Sequence, residues 1–398
     1  AVALSSGGYH TCAILDNGAV SCWGWGTYGR LGNGGTSLQN TPTLTSSLGT
    51  GRTAVALSSG YSHTCAILDD GSVSCWGRGT NGQLGNGGTS QQNTPTLTSS
   101  LGTGRTAVAL SSGQYHTCAI LDNGSVSCWG DGTYGQLGNG GTSGKTTPTL
   151  TSSLGTGRTA VALSSGGYHT CAILDNGDVS CWGCGTYGQL GNGGSSDKTT
   201  PTLTSSLGTG RTAALSERDF DGDGAYTIFQ AHKKLDYREQ ALSSGYQHTC
   251  AILDNGAVSC WGWGFSGQLG YGGTSWKYSP TLTSSLGTGR TAVAISSGYL
   301  HTCAILDNGA VSCWGGGYYG QLGNGGTSQQ NTPTLTSSLG TGRTAVALSS
   351  GGSHTCAILD NGDVSCWGYG YFGQLGNGGT SAKTTPTLTS SLGTGRTA

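Results

Sequence analysis

One unit of 53 residues tiles this chain, and no other feature constrains its fold as strongly. The text AVALSSGGYHTCAILDNGAVSCWG that begins at Ala1 returns, nearly letter for letter, at Ala54, Ala107, Ala160, Ala292 and Ala345. A seventh copy resumes at Ala241, behind a foreign stretch of 28 residues (213–240) that replaces two residues of the repeat. A length of 398 residues would otherwise suggest two or three domains. Self-similarity at a fixed period replaces that expectation with a single array, because each unit is too small to bury its own apolar face and must cover its neighbour's.

Within the unit, the runs VALSS, HTCAIL, AVSCWG and TPTLTSSL are bounded by Gly, Asn-Gly or Pro, the punctuation of strands joined by tight turns. Four strands, A to D, follow. Asp16-Asn17-Gly18 forms a three-residue hairpin loop whose glycine takes the left-handed conformation beside a bulge. That register sets Cys12 directly opposite Cys22. Four strands in a repeat of this length are the mark of radially arranged blades. The expected fold is all-β, a seven-bladed β-propeller of four-stranded antiparallel blades with one inserted loop or short helix. The blades fall near 1–53, 54–106, 107–159, 160–212, 239–291, 292–344 and 345–398, with the insert at 213–240.

The string H-T-C-A-I-L-D-N-G-x-V-S-C-W-G followed by G-Q-L-G-N-G resembles the RCC1 repeat, and the resemblance covers every part of the chain except the insert. It implies a seven-bladed propeller. Members of that family include a nuclear exchange factor for a small GTPase as well as secreted bacterial inhibitors and surface proteins. Two cysteines per repeat depart from the nuclear members, so the fold is carried over and the exchange activity is not.

Fourteen of the 15 cysteines occupy the two repeat slots. They pair as Cys12 with Cys22, Cys65 with Cys75, Cys118 with Cys128, Cys171 with Cys181, Cys250 with Cys260, Cys303 with Cys313 and Cys356 with Cys366. Directly opposed cross-strand cysteines suit disulfides, and a repeated pair points to an oxidising compartment. Two alternatives stand beside this: reduced buried thiols, or a metal held by His10, Cys12 and Cys22, which lacks a fourth ligand. His10 and its six equivalents read as structural hydrogen-bonders in preference to a ring of imidazoles round the channel. The tryptophans of the Trp-Gly pairs read as packing between blades. Cys184 is left over as a free thiol.

Because the copies are nearly identical, their differences carry the information. They concentrate in three groups, all in A–B or C–D connections. The pair before each histidine varies and holds Tyr9, Tyr61, Tyr115, Tyr168, Tyr246 and Tyr299. The positions after each Trp-Gly hold Trp25, Tyr28, Arg78, Asp131, Tyr134, Tyr187, Trp263, Phe265, Tyr318, Tyr319, Tyr369, Tyr371 and Phe372. The segment before the proline holds Trp276 and Tyr278. In an antiparallel four-stranded blade these connections share one face, whereas the B–C turn and D–A link emerge on the other. Of 17 tyrosines, 14 lie in these slots, and neutral drift would explain variability but not that aromatic bias. Tyr and Trp supply large contact area at small entropic cost, so this face is expected to bind a protein or glycan.

Different physics governs the insert. Asp219-Phe220-Asp221-Gly222-Asp223-Gly224 matches the D-x-D-x-D-G calcium pattern, with Asp219, Asp221, Asp223 and the Ala225 carbonyl as ligands. It resembles the loops of EF-hand, dockerin and FG-GAP segments, but Gln230 stands where an EF-hand has its bidentate Glu. A Ca²⁺ loop and an acidic surface excursion both remain open, and a D–A location would put the insert opposite the variable face.

The formal net charge of −1 comes from sparse, mixed charges, without the Lys/Arg cluster that phosphate backbones demand. Nucleic acid is therefore not an expected partner. No run of 18 apolar residues offers a membrane span. The start at Ala1, without methionine or leader, suggests a processed, exported chain, extracellular, periplasmic or on the cell surface, and monomeric. No catalytic constellation breaks the repeat. A non-enzymatic recognition propeller is the leading expectation, with a secreted enzyme inhibitor, or less favoured a metal-dependent hydrolase, as alternatives.

Overall fold

Strand pairing is set at the B–C hairpin. Gly18 N–H donates to Leu15 O (2.9 Å) with Gly18 at φ 73°, and Leu15 N–H closes on Ala19 O (2.8 Å). This three-residue loop places Ile14 opposite Val20, Ala13 opposite Ser21 and Cys12 opposite Cys22. The computed structural model, which describes residues 1–214 and 241–392, repeats the arrangement in seven separate antiparallel sheets of four consecutive strands. Strands are numbered β1 to β28 in chain order. The first blade comprises β1 (Ala3–Ser6), β2 (His10–Ile14), β3 (Val20–Gly24) and β4 (Gln39–Leu44). Among the described residues the only helical element is a 3₁₀ turn at Thr27–Gly29.

The core lies between blades. Alternation along each strand sends Cys12, Ile14, Val20 and Cys22 to one face of the first sheet, where they pack on Ala66, Leu68 and Trp76 of the second. Ala13 and Trp23 project from the other face and are covered by Cys356, Ile358, Val364 and Cys366 of the seventh. The A strands line the axis. The D strands face outward, and Pro42 in β4 blunts an otherwise open edge. The ring closes without exchange of strands, because β1 meets β25 (Ala345–Ser350) as it meets β5 (Ala54–Ser59). Ser6 N–H donates to Ser349 Oγ and Ser59 N–H to Ser5 Oγ, both at 2.8 Å.

A polar chain crosses every blade boundary. His10 Nε2 lies 2.8 Å from Thr64 Oγ1, and that hydroxyl donates to Arg30 O (3.1 Å), which also receives Trp76 Nε1–H (3.0 Å). Since the hydroxyl proton is spent on the carbonyl, the imidazole must be the donor, which fixes the Nε2–H tautomer. The last link runs from His354 Nε2 to Thr11 Oγ1 at 2.9 Å. The seven framework histidines and seven framework tryptophans are fully buried, so these histidines hold blades together and do not line the channel. Thr64→Val keeps the shape but strands the His10 imidazole N–H and leaves Arg30 O with the Trp76 donor alone. It should cost about 1–3 kcal/mol in urea unfolding, while the exposed Thr41→Val changes stability by less than about 0.5 kcal/mol.

All fourteen framework cysteines form seven intra-blade disulfides with Cα atoms 4.1 Å apart. That leaves no thiolates for a metal at the Cys12 and Cys22 slots. Cys184 is free and buried.

One expectation needs correcting. The insert does not leave from the D–A link but from inside strand A of the fifth blade. In five other blades strand A carries a bulge near its start, as between Ala54 and Ala56. In the fifth, Ala213 still pairs with Leu253 and Ala241 O still accepts Ile252 N–H, before β17 (Leu242–Ser244) continues the ladder. A bulged residue has no ladder partner, so chain can be added there without breaking the pairing on either side.

Candidate functional site

The A–B loops and C–D connections share one end of the ring, and local sterics decide which of their positions can vary. Each A–B loop begins with glycine. A Cβ on Gly7 would overlap the His10 ring and Gly60 O, so the histidine that ties the blades together forces this glycine. Only the next two positions are free to differ.

Those two positions point in different directions. The first faces the axis: Gly8, Tyr61, Gln114, Gly167, Tyr246, Tyr299 and Gly352 line a central cavity of about 120 Å³ together with Ser6, Ser59 and their equivalents in the other blades. Tyr61, Tyr246 and Tyr299 converge over it, with Tyr299 stacked on Tyr61 across the ring (centroids 6.0 Å) and 5.0 Å from Tyr246. The second position carries Tyr9, Tyr115 and Tyr168, which brace this stopper from outside at 5.6 Å (Tyr9 to Tyr61), 6.3 Å (Tyr115 to Tyr61) and 5.8 Å (Tyr168 to Tyr246). Moving a tyrosine by one residue therefore decides whether it plugs the channel or frames it. Burial is the first cause holding the Tyr299 phenol well above its ordinary range. Burial, then the neighbouring Tyr9, pushes Tyr61 up to about 12, and Tyr168 is raised by burial and by Tyr246. The Tyr61 and Tyr299 phenols are therefore uncharged at physiological pH.

Two aromatic clusters lie outside it. Across blades six, seven and one, Trp25 stacks on Phe372 at 4.5 Å, and Tyr369 contacts Tyr319 (4.7 Å) and Tyr371 (6.3 Å). Across blades four and five, Tyr187 stacks on Trp263 (5.0 Å) and meets Trp276 edge-on (5.2 Å). The most open rings are Phe265 (69% exposed) and Tyr371 (64%), with Trp276 at 42%. Tyr28, Tyr134, Tyr278, Tyr318 and Tyr319 are also exposed. Asp131 is turned back onto its own loop, accepting from Thr133 N–H and Oγ1. The buried Cys184 thiol faces Thr186 Oγ1 at 3.5 Å. The acidic loop at Asp219, Asp221, Asp223 and Ala225 lies outside the described residues.

Sequence reasoning passed over Arg30, although the signal was present: six blades carry Gln at that slot and one carries Arg. In those six the Gln Oε1 accepts the N–H of the loop residue two positions earlier, as Gln83 does from Asn81 at 2.8 Å. Arginine has no acceptor to offer. The corresponding residue in the first blade, Tyr28, adopts φ 68°, the only positive φ of a non-glycine among the described residues.

Two models of the regulator of chromosome condensation (RCC1) repeat match the chain. One covers 17–67, 70–120, 123–173, 176–214, 255–305 and 308–358, and the other matches the start of all seven repeats. Among curated relatives, the Ultraviolet-B receptor UVR8 of Arabidopsis thaliana is 31% identical over 94% of this chain and 78% of that protein. The E3 ubiquitin-protein ligase HERC2 of Homo sapiens is 32% identical over 98% of this chain, which spans only 7% of that protein's length. Among solved structures, yeast RCC1 (Prp20) bound to Kap60 superposes with TM-score 0.77 at 19% identity, covering 99% of this chain and 86% of that one. Human WBSCR16 gives TM-score 0.77 at 18% identity, covering 94% of each.

Proposed function

This chain belongs to the regulator of chromosome condensation (RCC1) repeat family, and from that premise we propose that it is a non-enzymatic recognition propeller that binds a protein through its aromatic face. One observation carries the reading: over an almost invariant framework, differences between blades gather on a single face and are filled with Tyr, Trp and Phe. Exposed aromatic rings on a rigid frame lose little conformational entropy on binding, which favours them as interface anchors. A solved relative, yeast RCC1 (Prp20), is itself bound to another protein, Kap60. Seven disulfides suit an oxidising compartment, so we place the working site outside the cell or on its surface.

Exposure selects the residues to test. Trp25, Trp263 and Tyr369 are partly buried in ring clusters, whereas Phe265, Trp276 and Tyr371 stand open. Protein ligands selected from a displayed library by the wild type should lose at least about a hundredfold in affinity for the Phe265→Ala, Trp276→Ala, Tyr371→Ala triple variant. Its melting temperature should stay within a few degrees of wild type. Unchanged affinity, or ligands that map to the Asp122 and Asp175 end of the ring, would refute the reading.

A further inference from the structure

The first two blades contain a charge that the fold does not neutralise. Arg30 is 1% exposed, yet among the described residues it takes part in no ion pair. Its Nε donates to Thr27 O at 2.8 Å and one terminal nitrogen to Tyr61 O at 3.4 Å. These bonds use two of the five N–H donors of a guanidinium. The remaining contacts are ring faces, Trp25 at 4.9 Å and Tyr28 at 5.7 Å. Arg78 of the next blade lies over the same Tyr28 ring at 5.3 Å, so the two guanidiniums are no more than about 11 Å apart. Arg78 donates to Thr80 Oγ1 (2.7 Å) and likewise forms no ion pair among the described residues.

Six sister blades are internal controls for what this arrangement costs. Gln at the same slot satisfies the loop N–H and leaves no buried charge, and the framework round Arg30 is otherwise the same. Blade one instead carries an unpaired buried cation, which is expensive to desolvate, and a tyrosine held at positive φ, a strain found chiefly where function requires it. Both expenses fall at one spot on the variable face. A bound anion would offset the first of them.

We propose that Arg30 and Arg78, framed by Trp25, Tyr28, Tyr61 and Tyr115, form a subsite for the carboxylate of an acidic segment in a protein partner. This deepens the recognition reading above and rests on it. A planar guanidinium matches a carboxylate in paired hydrogen bonds, and the rings beside it suit the apolar stem and neighbours of an acidic side chain. The wider face agrees in sign: Lys145, Lys198, Lys277 and Lys383 begin D strands at this end of the ring, against Asp131 and Asp197. A sulfated glycan is less well matched, because it calls for a row of exposed cations, whereas of this pair Arg30 is buried beneath the rings and only Arg78 is partly exposed.

The test is calorimetric titration of the full chain with octaglutamate, octaglutamine and a heparin-derived sulfated octasaccharide. Wild type should bind octaglutamate, more weakly as salt rises, and should ignore octaglutamine. Arg30→Gln, which installs the residue of the six sister blades, should weaken octaglutamate at least tenfold while melting no lower than wild type; Arg78→Gln should weaken it as well. A residue needed only for structure would not combine lost binding with retained or raised stability. No binding by wild type, equal binding by Arg30→Gln, or preference for the sulfated octasaccharide would each overturn the proposal. Selected protein ligands kept by Arg30→Gln but lost by the aromatic triple variant would overturn the subsite alone. Octaglutamate binding that depends on Arg30 beside protein ligands indifferent to the triple variant would overturn the aromatic face and leave the subsite standing.

Discussion

Acidification from pH 7 to pH 4 should unfold this protein with an uptake approaching seven protons. Burial, the first cause at every site, holds His63, His169, His248, His301 and His354 at about 3, His116 at about 4, and His10 well below its ordinary range. Each donates through Nε2 to a threonine of the next blade, and a second proton on Nδ1 has no acceptor there. In the unfolded chain the same groups titrate near 6.5. Above that pH both states are neutral at these sites and stability does not change through them. Below it the unfolded chain takes up protons that the fold refuses until about pH 3 to 4, so stability present above 6.5 is lost as pH falls. One site contributes about 1.4 kcal/mol per pH unit and seven contribute about 10 kcal/mol per unit. A domain worth about 5–15 kcal/mol would be exhausted within one to two units of 6.5. Urea unfolding measured at half-unit steps from pH 7.5 to 4.5 checks this. A slope corresponding to fewer than two protons would show that the imidazoles are protonated within the fold.

The second large effect belongs to the disulfides. Their sulfurs sit on residues with no exposed surface, so dithiothreitol should leave the native protein intact. Alkylation in denaturant without reductant should label one thiol, Cys184, and after reduction all 15 cysteines. Each bridge joins residues 10 apart in sequence, a loop whose closure is worth about 3 kcal/mol. Seven together reach on the order of 20 kcal/mol, more than the stability of a typical domain. A chain unfolded in urea and diluted into reductant should therefore fail to regain its near-ultraviolet tryptophan signal, whereas the unreduced chain regains it. Recovery in reductant would mean that packing and the histidine relay suffice, and would remove the physical reason for an oxidising compartment.

Much of the fold was legible because it is written seven times. The Asp16-Asn17-Gly18 turn sets the register through local backbone chemistry, and that register pairs Cys12 with Cys22 before any tertiary contact is known. The period of the repeat, the strand count and the parity of the connections led to seven blades and to a single variable face. The candidate site was legible only as a list of positions. Tyr61 and Tyr115 look alike in sequence, yet one plugs the channel and the other frames it, because adjacent loop residues point to opposite sides. Arg30 was passed over, since its meaning depends on what six glutamines do in space. The insert was displaced by one element because a bulge at the start of strand A leaves no mark in the sequence.

The sequence by itself thus determined the strands, the hairpin register, the disulfide pairs and the number of blades, all of which rest on local turn geometry and a repeated apolar pattern. Tertiary structure alone decided how the ring closes, how the histidines hand a proton donor to the next blade, which tyrosines meet across the axis, and that Arg30 is buried without a counter-ion. Each of these brings together residues that are distant in the chain or on different blades. Their energies depend on distance, burial and partner, and none of the three can be read from position in a repeat.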